Sequence, residues 1–298
     1  MLVEVGDLVA LASALGWAGT TVMARHISRS IPALWYNALR VGIGSLVMVA
    51  ISPWTLARAD LGNVSALAIV LLLVSVLTGF AVGDTAFFES MRRIGVARAS
   101  PIAGCHPLVT ALLAVTFLGE PVTLTLVLAI VVISVGVWLI TTDRVVPPAH
   151  PGVGSGMVLG VSLALVAAVG WSASTVLVRP ALEEVDPIVA STIRLPFATL
   201  VLVVAAQRLR RIDSRRLVLK PGTIAWLIVA GVLTLASATL FLWSVDLVGA
   251  ARTSALSSVS PIFSATIAVA LLGEQLTRRL ALGMGISLAG VLAIVVGG

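Results

Sequence analysis

Ten successive stretches of about 20 mostly apolar residues, each long enough to cross the hydrocarbon core of a bilayer as a helix, fill most of this 298-residue chain. They lie near 7–27, 34–52, 64–90, 97–118, 123–141, 154–178, 187–206, 222–246, 251–272 and 277–296. A backbone inside lipid must satisfy its own hydrogen bonds, so only helices and closed barrels span membranes. Barrel strands would be about 10 residues long with strict alternation. Continuous apolar runs predict an all-α polytopic membrane protein instead. Composition agrees: 59% of residues are hydrophobic and 11% charged, against about 45–50% and about 25% in soluble chains. A soluble protein this apolar would have no polar coat for its core.

The formal net charge is +6, which raises nucleic acid as a partner. The basic residues sit in short connections between apolar runs, where membrane proteins carry them anyway, so none is expected. The single cysteine, Cys105, lies in an apolar run and allows no intrachain disulfide. Glu4 and Asp7 precede the first run, where a signal peptide would carry basic residues. That run also has a copy in the second half, so it reads as a mature helix.

Sliding the chain on itself by 154 residues aligns its halves without gaps. Trp17 falls on Trp171, Thr21 on Thr175, Val22 on Val176, Arg25 on Arg179 and Arg40 on Arg194. Phe87 and Ser90 fall on Phe241 and Ser244. Gly95, Ala97, Arg98 and Ser100 fall on Gly249, Ala251, Arg252 and Ser254. Pro107 meets Pro261, Leu118-Gly119-Glu120 meets Leu272-Gly273-Glu274, and Gly136-Val137 meets Gly290-Val291. Apolar bias would explain Ala, Val and Leu matches, but not Trp, Arg, Pro and Gly-Glu at one shift. The expected organisation is a five-helix repeat over 1–143, a Pro-rich linker over 144–153 and a second five-helix repeat over 154–298. Five is odd, so the second copy must enter the membrane from the opposite side. The ten helices would form two inverted repeats, an architecture that puts the substrate site near the midplane and works by alternating access.

Loop charges agree with inversion. Basic residues concentrate after the first run (Arg25, Arg29), the third (Arg92, Arg93, Arg98), the seventh (Arg208, Arg210, Arg211, Arg215, Arg216, Lys220) and the ninth (Arg278, Arg279). All four connections fall on one side; the other has few, among them Arg58, Arg179 and Arg252. The positive-inside rule makes the crowded side cytoplasmic and both termini external.

A Trp in the first run of each half, an Arg early in the second and a Gly-Glu between the fourth and fifth resemble the drug/metabolite transporter superfamily, in particular its ten-helix EamA-type carriers. The residues concerned are Trp17, Arg40, Pro107, Gly119 and Glu120, with Trp171, Arg194, Pro261, Gly273 and Glu274. The resemblance covers nearly the whole chain and rests on spacing rather than on any single motif. It implies a secondary carrier, often an exporter of amino acids, related metabolites or drugs. It also implies cytoplasmic termini, against the loop charges.

Ionisable residues inside a span are costly and are functional candidates by default. Here they are Arg40, Asp84, Glu89, His106, Arg194 and Asp246. Asp84 lies about two turns before the end of the third run. It can bind a cationic substrate group, carry a coupling proton, or form a static ion pair with Arg40. Its counterpart at the 154 shift is Ala238, so it lies outside whatever the halves share. Glu89 is a second proton-coupling candidate, or a carboxylate reaching interfacial water. Arg40 and Arg194 can hold a substrate carboxylate, snorkel, or pair internally. His106 can relay protons or simply bond to a neighbouring helix. Trp17, Trp171 and Trp243 fall well inside their runs, where Trp is unusual, and with Phe87 and Phe88 can line a substrate cavity or merely pack. Phe80 belongs to the same group.

Gly119-Glu120 and Gly273-Glu274 read as a helix end followed by a carboxylate near the next helix start. Pro107 and Pro261 are expected mid-helix, as kinks. Gly283, Ser287 and Gly290 make a small face for close packing within the chain or across a homodimer. The chain has no G-x-x-x-x-G-K-[ST] and no H-E-x-x-H, and its 3 histidines are few for a metal site. Neither cofactor nor metal is expected, and the predicted partners are a small molecule and the lipid of a bacterial or archaeal cell membrane. A secondary carrier, exporting its substrate, is the leading expectation. The alternatives are an intramembrane lipid-modifying enzyme, for which six scattered ionisable residues make a poor catalytic group, and a passive channel or sensor.

Overall fold

Among the described residues the backbone closes its hydrogen bonds almost entirely within helices, as a chain surrounded by hydrocarbon must. The computed structural model describes residues 4–27, 31–57, 62, 64–141, 155–210, 221–272 and 277–297. Its elements are α1 Val5–Ile27, α2 Ala33–Leu56, α3 Ala66–Val76, a π-helical segment Leu77–Asp84, α4 Thr85–Ile94, α5 Val96–Ala103, α6 His106–Leu113, a second π segment Ala114–Leu118 and α7 Leu124–Thr141. There follow α8 Ser155–Ala181, α9 Pro187–Arg210, α10 Pro221–Val248, α11 Ala250–Ser257, α12 Ser260–Leu272 and α13 Arg278–Gly297. Among the described residues, eight helices are long and apolar enough to cross a membrane, the α3–α4 run counting as one. Leu46, Phe117, Leu124 and Val158 are exposed, as outward faces in lipid can be. The linker 144–153, the Arg-rich residues 211–220, and Gly273-Glu274 lie outside the described residues.

Two expected spans, 97–118 and 251–272, are not continuous helices. Each is a pair of shorter ones, α5 with α6 and α11 with α12, broken at Gly104-Cys105 and Ser258-Val259. Proline favours a break at each of these positions. It offers no N–H, and its ring collides with the carbonyl four residues earlier. Four residues before Pro107 is Ala103, the last residue of α5; four before Pro261 is Ser257, the last of α11. The prolines therefore sit in the opening turn of a new helix, where a missing N–H costs nothing, rather than mid-helix. Gly95 (φ 78°) and Gly249 (φ 82°) make the sharp turns into α5 and α11 in a backbone region that side chains disfavour.

Lipid offers helices no hydrophobic drive to associate, so close approach of small residues decides the packing. α7 lies along α13, α1 along α10, α2 along α9, and α8 along α3, the first π segment and α4. The small face of α13 is used here, within the chain. A Cβ on Gly136 of α7 would stand 2.6 Å from the Gly283 carbonyl oxygen and 2.6 Å from the Ser287 amide nitrogen. Gly136→Val should accordingly cost about 1–3 kcal/mol and lower the unfolding temperature in detergent by on the order of 5 °C. Gly156→Ala, with nothing within 4 Å of the new methyl, should leave it unchanged; equal shifts would refute the close-packing account.

Candidate functional site

Arg40 lies about two turns into α2, 1% exposed. A guanidinium at that depth must find its partners in the protein. Its Nη2 donates to Asn37 Oδ1 at 2.9 Å and forms an ion pair with Asp84 Oδ2. Nη1 donates to Thr234 Oγ1 on α10 at 3.0 Å. Among the described residues Nε has no hydrogen-bond partner. The cation lies 5.1 Å from the ring centroid of Phe88, 5.8 Å from those of Trp17 and Phe80, and 6.0 Å from that of Tyr36, where π-faces attract positive charge. Tyr36 is fixed in turn by donating its hydroxyl to the Thr20 carbonyl at 2.9 Å.

Asp84 closes the π segment, a widened turn of a kind that often occurs at functional sites. Its second oxygen accepts the Trp171 indole N–H at 2.8 Å. Gly83 makes that approach possible, because a Cβ there would stand 2.7 Å from Trp171 Cδ1. Gly170 helps from the other side: a Cβ on it would meet the Thr78 carbonyl at 2.7 Å. Asn37 Nδ2 donates to the Phe80 carbonyl at 2.6 Å and to Thr85 Oγ1 at 3.0 Å, tying α2 to the same segment. One buried carboxylate thus meets a cation from α2 and an indole from α8, while that cation also touches α10.

The aromatic candidates divide. Phe87 packs edge-on to Trp171 at 5.0 Å and lies 6.0 Å from Phe88, which stands edge-on to Tyr36 at 5.2 Å. Trp17 lies 6.1 Å from Phe80. His106 opens α6 with its ring edge-on to Trp171 at 5.6 Å and its Nδ1 3.0 Å from Ser254 Oγ on α11. Asp84, Arg40, Trp17, Trp171, Phe87 and Phe88 therefore meet around one ion pair, with His106 behind Trp171. Trp243, 45% exposed on the outside of α10, stands apart. Glu89 pairs with Arg92 and Arg93, each at 2.7 Å, near the end of α4. Arg194 is buried on α9, where Nη2 donates to Ser174 Oγ at 3.3 Å.

Asn37, Tyr36 and Thr234 were not among the expected site residues. Asn37 and Tyr36 sit three and four positions before Arg40, the spacing that puts side chains on one helix face, and that signal was available. Nothing in the sequence pairs Thr234 with Arg40 across 194 positions.

A second polar group lies at the membrane face where α1 begins and α8 and α10 end. Asp7, fully buried, holds Arg252 of α11 through two bonds of 2.8 and 2.9 Å. Gly119 ends its segment in the left-handed conformation, as expected (φ 65°). Glu120, however, does not serve the helix that follows it. Its carboxylate accepts the N–H groups of Ala250 and Ala251, at 2.8 and 3.1 Å, in the first turn of α11. Orphan N–H groups there make a ready carboxylate site, and tertiary contact brings Glu120 to them. A cleft of about 540 Å³ opens beside this group, with Glu4, Arg179, Glu183 and Asp246 also on its walls. Arg40 and Asp84 are not on those walls. Among the described residues, no cluster of His, Cys, Asp and Glu could hold a metal ion.

Comparison with known proteins fits this picture. A solved crystal structure superposes with a TM-score of 0.77 at 18% identity, covering 97% of this chain and 95% of its own; the likeness is of fold. An uncharacterized transporter of Archaeoglobus fulgidus is 23% identical over 287 residues, 96% of each chain. The uncharacterized transporter YvbV of Bacillus subtilis is 30% identical over 141 residues, 46% of this chain and 45% of its own. The model of the EamA-like transporter family matches residues 4–142 and 158–296. The chain is a multi-pass integral membrane protein and belongs to the EamA-like transporter family.

Proposed function

We propose that the protein is a secondary active carrier that moves a small metabolite or drug out of a bacterial or archaeal cell by alternating access. Its two five-helix halves, 1–143 and 154–298 with the linker 144–153 between them, would be inverted repeats of ten membrane-crossing elements. The broken pairs α5–α6 and α11–α12 count as one crossing each. Hydrogen bonds that recur at the 154 shift support this reading. Ser90 Oγ donates to the Gly160 carbonyl at 2.8 Å, and Ser244 Oγ to the Gly6 carbonyl at 2.9 Å. Asn37 meets Thr85 at 3.0 Å, and Thr239 meets Ser191 at 3.1 Å. The turns at Gly95 and Gly249 and the proline breaks recur in the same way.

The observation that carries the functional reading is the Arg40–Asp84 pair, buried in the first half yet held by Trp171 and Thr234 of the second. A charge pair that bridges halves can break when they rock, and can be broken by a substrate cation or a proton on Asp84. Trp17, Trp171, Phe87 and Phe88 would supply aromatic surface to the molecule carried. The test is counterflow in proteoliposomes, with a panel of amino acids and cationic drugs, with and without a proton gradient. Saturable uptake driven by preloaded unlabelled compound is expected for at least one compound. Non-saturable flux would favour a channel, chemical conversion an enzyme, and no flux of any compound would sink the carrier reading.

A further inference from the structure

Arg40 and Arg194 occupy matched positions at the 154 shift, but among the described residues only one of them meets a carboxylate. Arg40 has the Asp84 carboxylate. Arg194 is 5% exposed. Among the described residues it makes no ion pair and one hydrogen bond, the 3.3 Å contact to Ser174, and its Nε has no partner. The position matching Asp84 is Ala238, 4% exposed. The register around Ala238 follows that around Asp84. Thr239 bonds Ser191 of α9 as Thr85 bonds Asn37 of α2. Gly16 abuts Ser237 as Gly170 abuts Gly83, four residues that also match at the 154 shift. The other donor that holds Asp84, the Trp171 indole, likewise has its counterpart in Trp17. Among the described residues the Trp17 indole N–H donates to no protein group, and its ring packs with the apolar cluster that contains Ala238.

One set therefore joins the Arg40 guanidinium and the Asp84 carboxylate of the first half to the Trp171 indole N–H of the second; the matched set joins the Arg194 guanidinium and the Ala238 methyl group of the second half to the Trp17 indole N–H of the first. We propose that Arg194 and the Trp17 indole form the carboxylate subsite for the transported molecule, whose carboxylate takes beside Ala238 the place that Asp84 fills in the first half. The substrate class is then amino-acid-like molecules with a free carboxylate. A planar guanidinium favours a carboxylate by forming paired hydrogen bonds, and a buried cation without a counter-charge favours any ligand that brings one. This assignment rests on the carrier reading and narrows it.

The experiment measures the rise in unfolding temperature of purified full-length protein in detergent at constant chloride. The probes are the neutral L-amino acids, each paired with its carboxamide. At least one acid should bind at least about tenfold more tightly than its amide, the scale of a charge-assisted bidentate contact. Arg194→Gln should erase the difference. Ala238→Asp should raise the unfolding temperature of the unliganded protein, because an internal carboxylate now meets Arg194, and should abolish the preference for acids. Equal binding of acid and amide, binding of no acid, or a preference that survives in either variant would overturn the proposal. So would an Ala238→Asp protein that fails to fold, since a carboxylate beside an unpaired guanidinium should not destabilise it. The same pairs are then run in counterflow. Saturable exchange without preference for acids removes the carboxylate subsite and leaves the carrier. Preferential binding of acids without exchange removes the carrier and leaves the subsite.

Discussion

Asp84→Asn should reduce net transport by at least about 100-fold while the protein still folds and inserts. Asparagine has nearly the shape of aspartate, and its Oδ1 can still accept the Trp171 N–H, now at 2.8 Å. What disappears is a negative charge beside Arg40 and a site for a proton. A charge-assisted hydrogen bond contributes about 1.5–3 kcal/mol, and about 2.7 kcal/mol corresponds to 100-fold in rate or affinity. Arg40 keeps Asn37, Thr234 and four aromatic rings as neighbours, so the uncompensated cation should lower stability without preventing folding. The assay is counterflow against proton-driven uptake in the same proteoliposomes. Loss of driven uptake with exchange retained would identify Asp84 as the proton carrier; loss of both would identify it as part of the binding site. Wild-type rates in both assays would reduce the pair to packing.

Arg40→Gln should be the most destabilising single change in this group. It leaves Asp84 buried without its cation, and breaking one side of a buried pair typically costs about 3–5 kcal/mol. In a chain of this size the unfolding temperature should fall by on the order of 10 °C. Arg40→Lys should fall between, because one ammonium on a flexible stem cannot meet Asp84, Asn37 and Thr234 together as a planar guanidinium does. The double variant Arg40→Gln with Asp84→Asn separates structure from function. Removing both charges together should recover much of the stability. If the pair serves transport, the refolded double variant stays inactive. Recovery of transport along with stability would mean that the pair only holds helices together.

Helical class and membrane crossing were legible in the sequence, because a bilayer forces backbone hydrogen bonding into helices and leaves apolar runs as their record. The 154-residue correspondence was equally visible, since it needs only residue identities. The breaks were half legible. Pro107 and Pro261 marked the positions, but a kink and a full interruption carry the same one-residue signal, and the neighbouring turns decide between them. The π segment Leu77–Asp84 left no mark in the apolar pattern. Its glycines, Gly79 and Gly83, mattered only once α8 lay against them.

The candidate residues show where sequence reasoning stops. Trp17, Trp171 and Trp243 looked alike, each well inside a span. Helix rotation sent the first two to Arg40 and Asp84 and the third outward. In lipid both faces of a helix can be apolar, so hydrophobic periodicity no longer tells inside from outside. Glu120 sat in a motif with an obvious local reading, yet it serves α11, 130 positions away. What the sequence by itself determined is the helical membrane class, the correspondence of the halves and the short inventory of charges that a membrane can be asked to hold. Which of those charges meet was decided only by the tertiary structure. Ion pairing within about 4 Å depends on how helices rotate and approach, and glycines, prolines and a widened turn set that geometry in three dimensions.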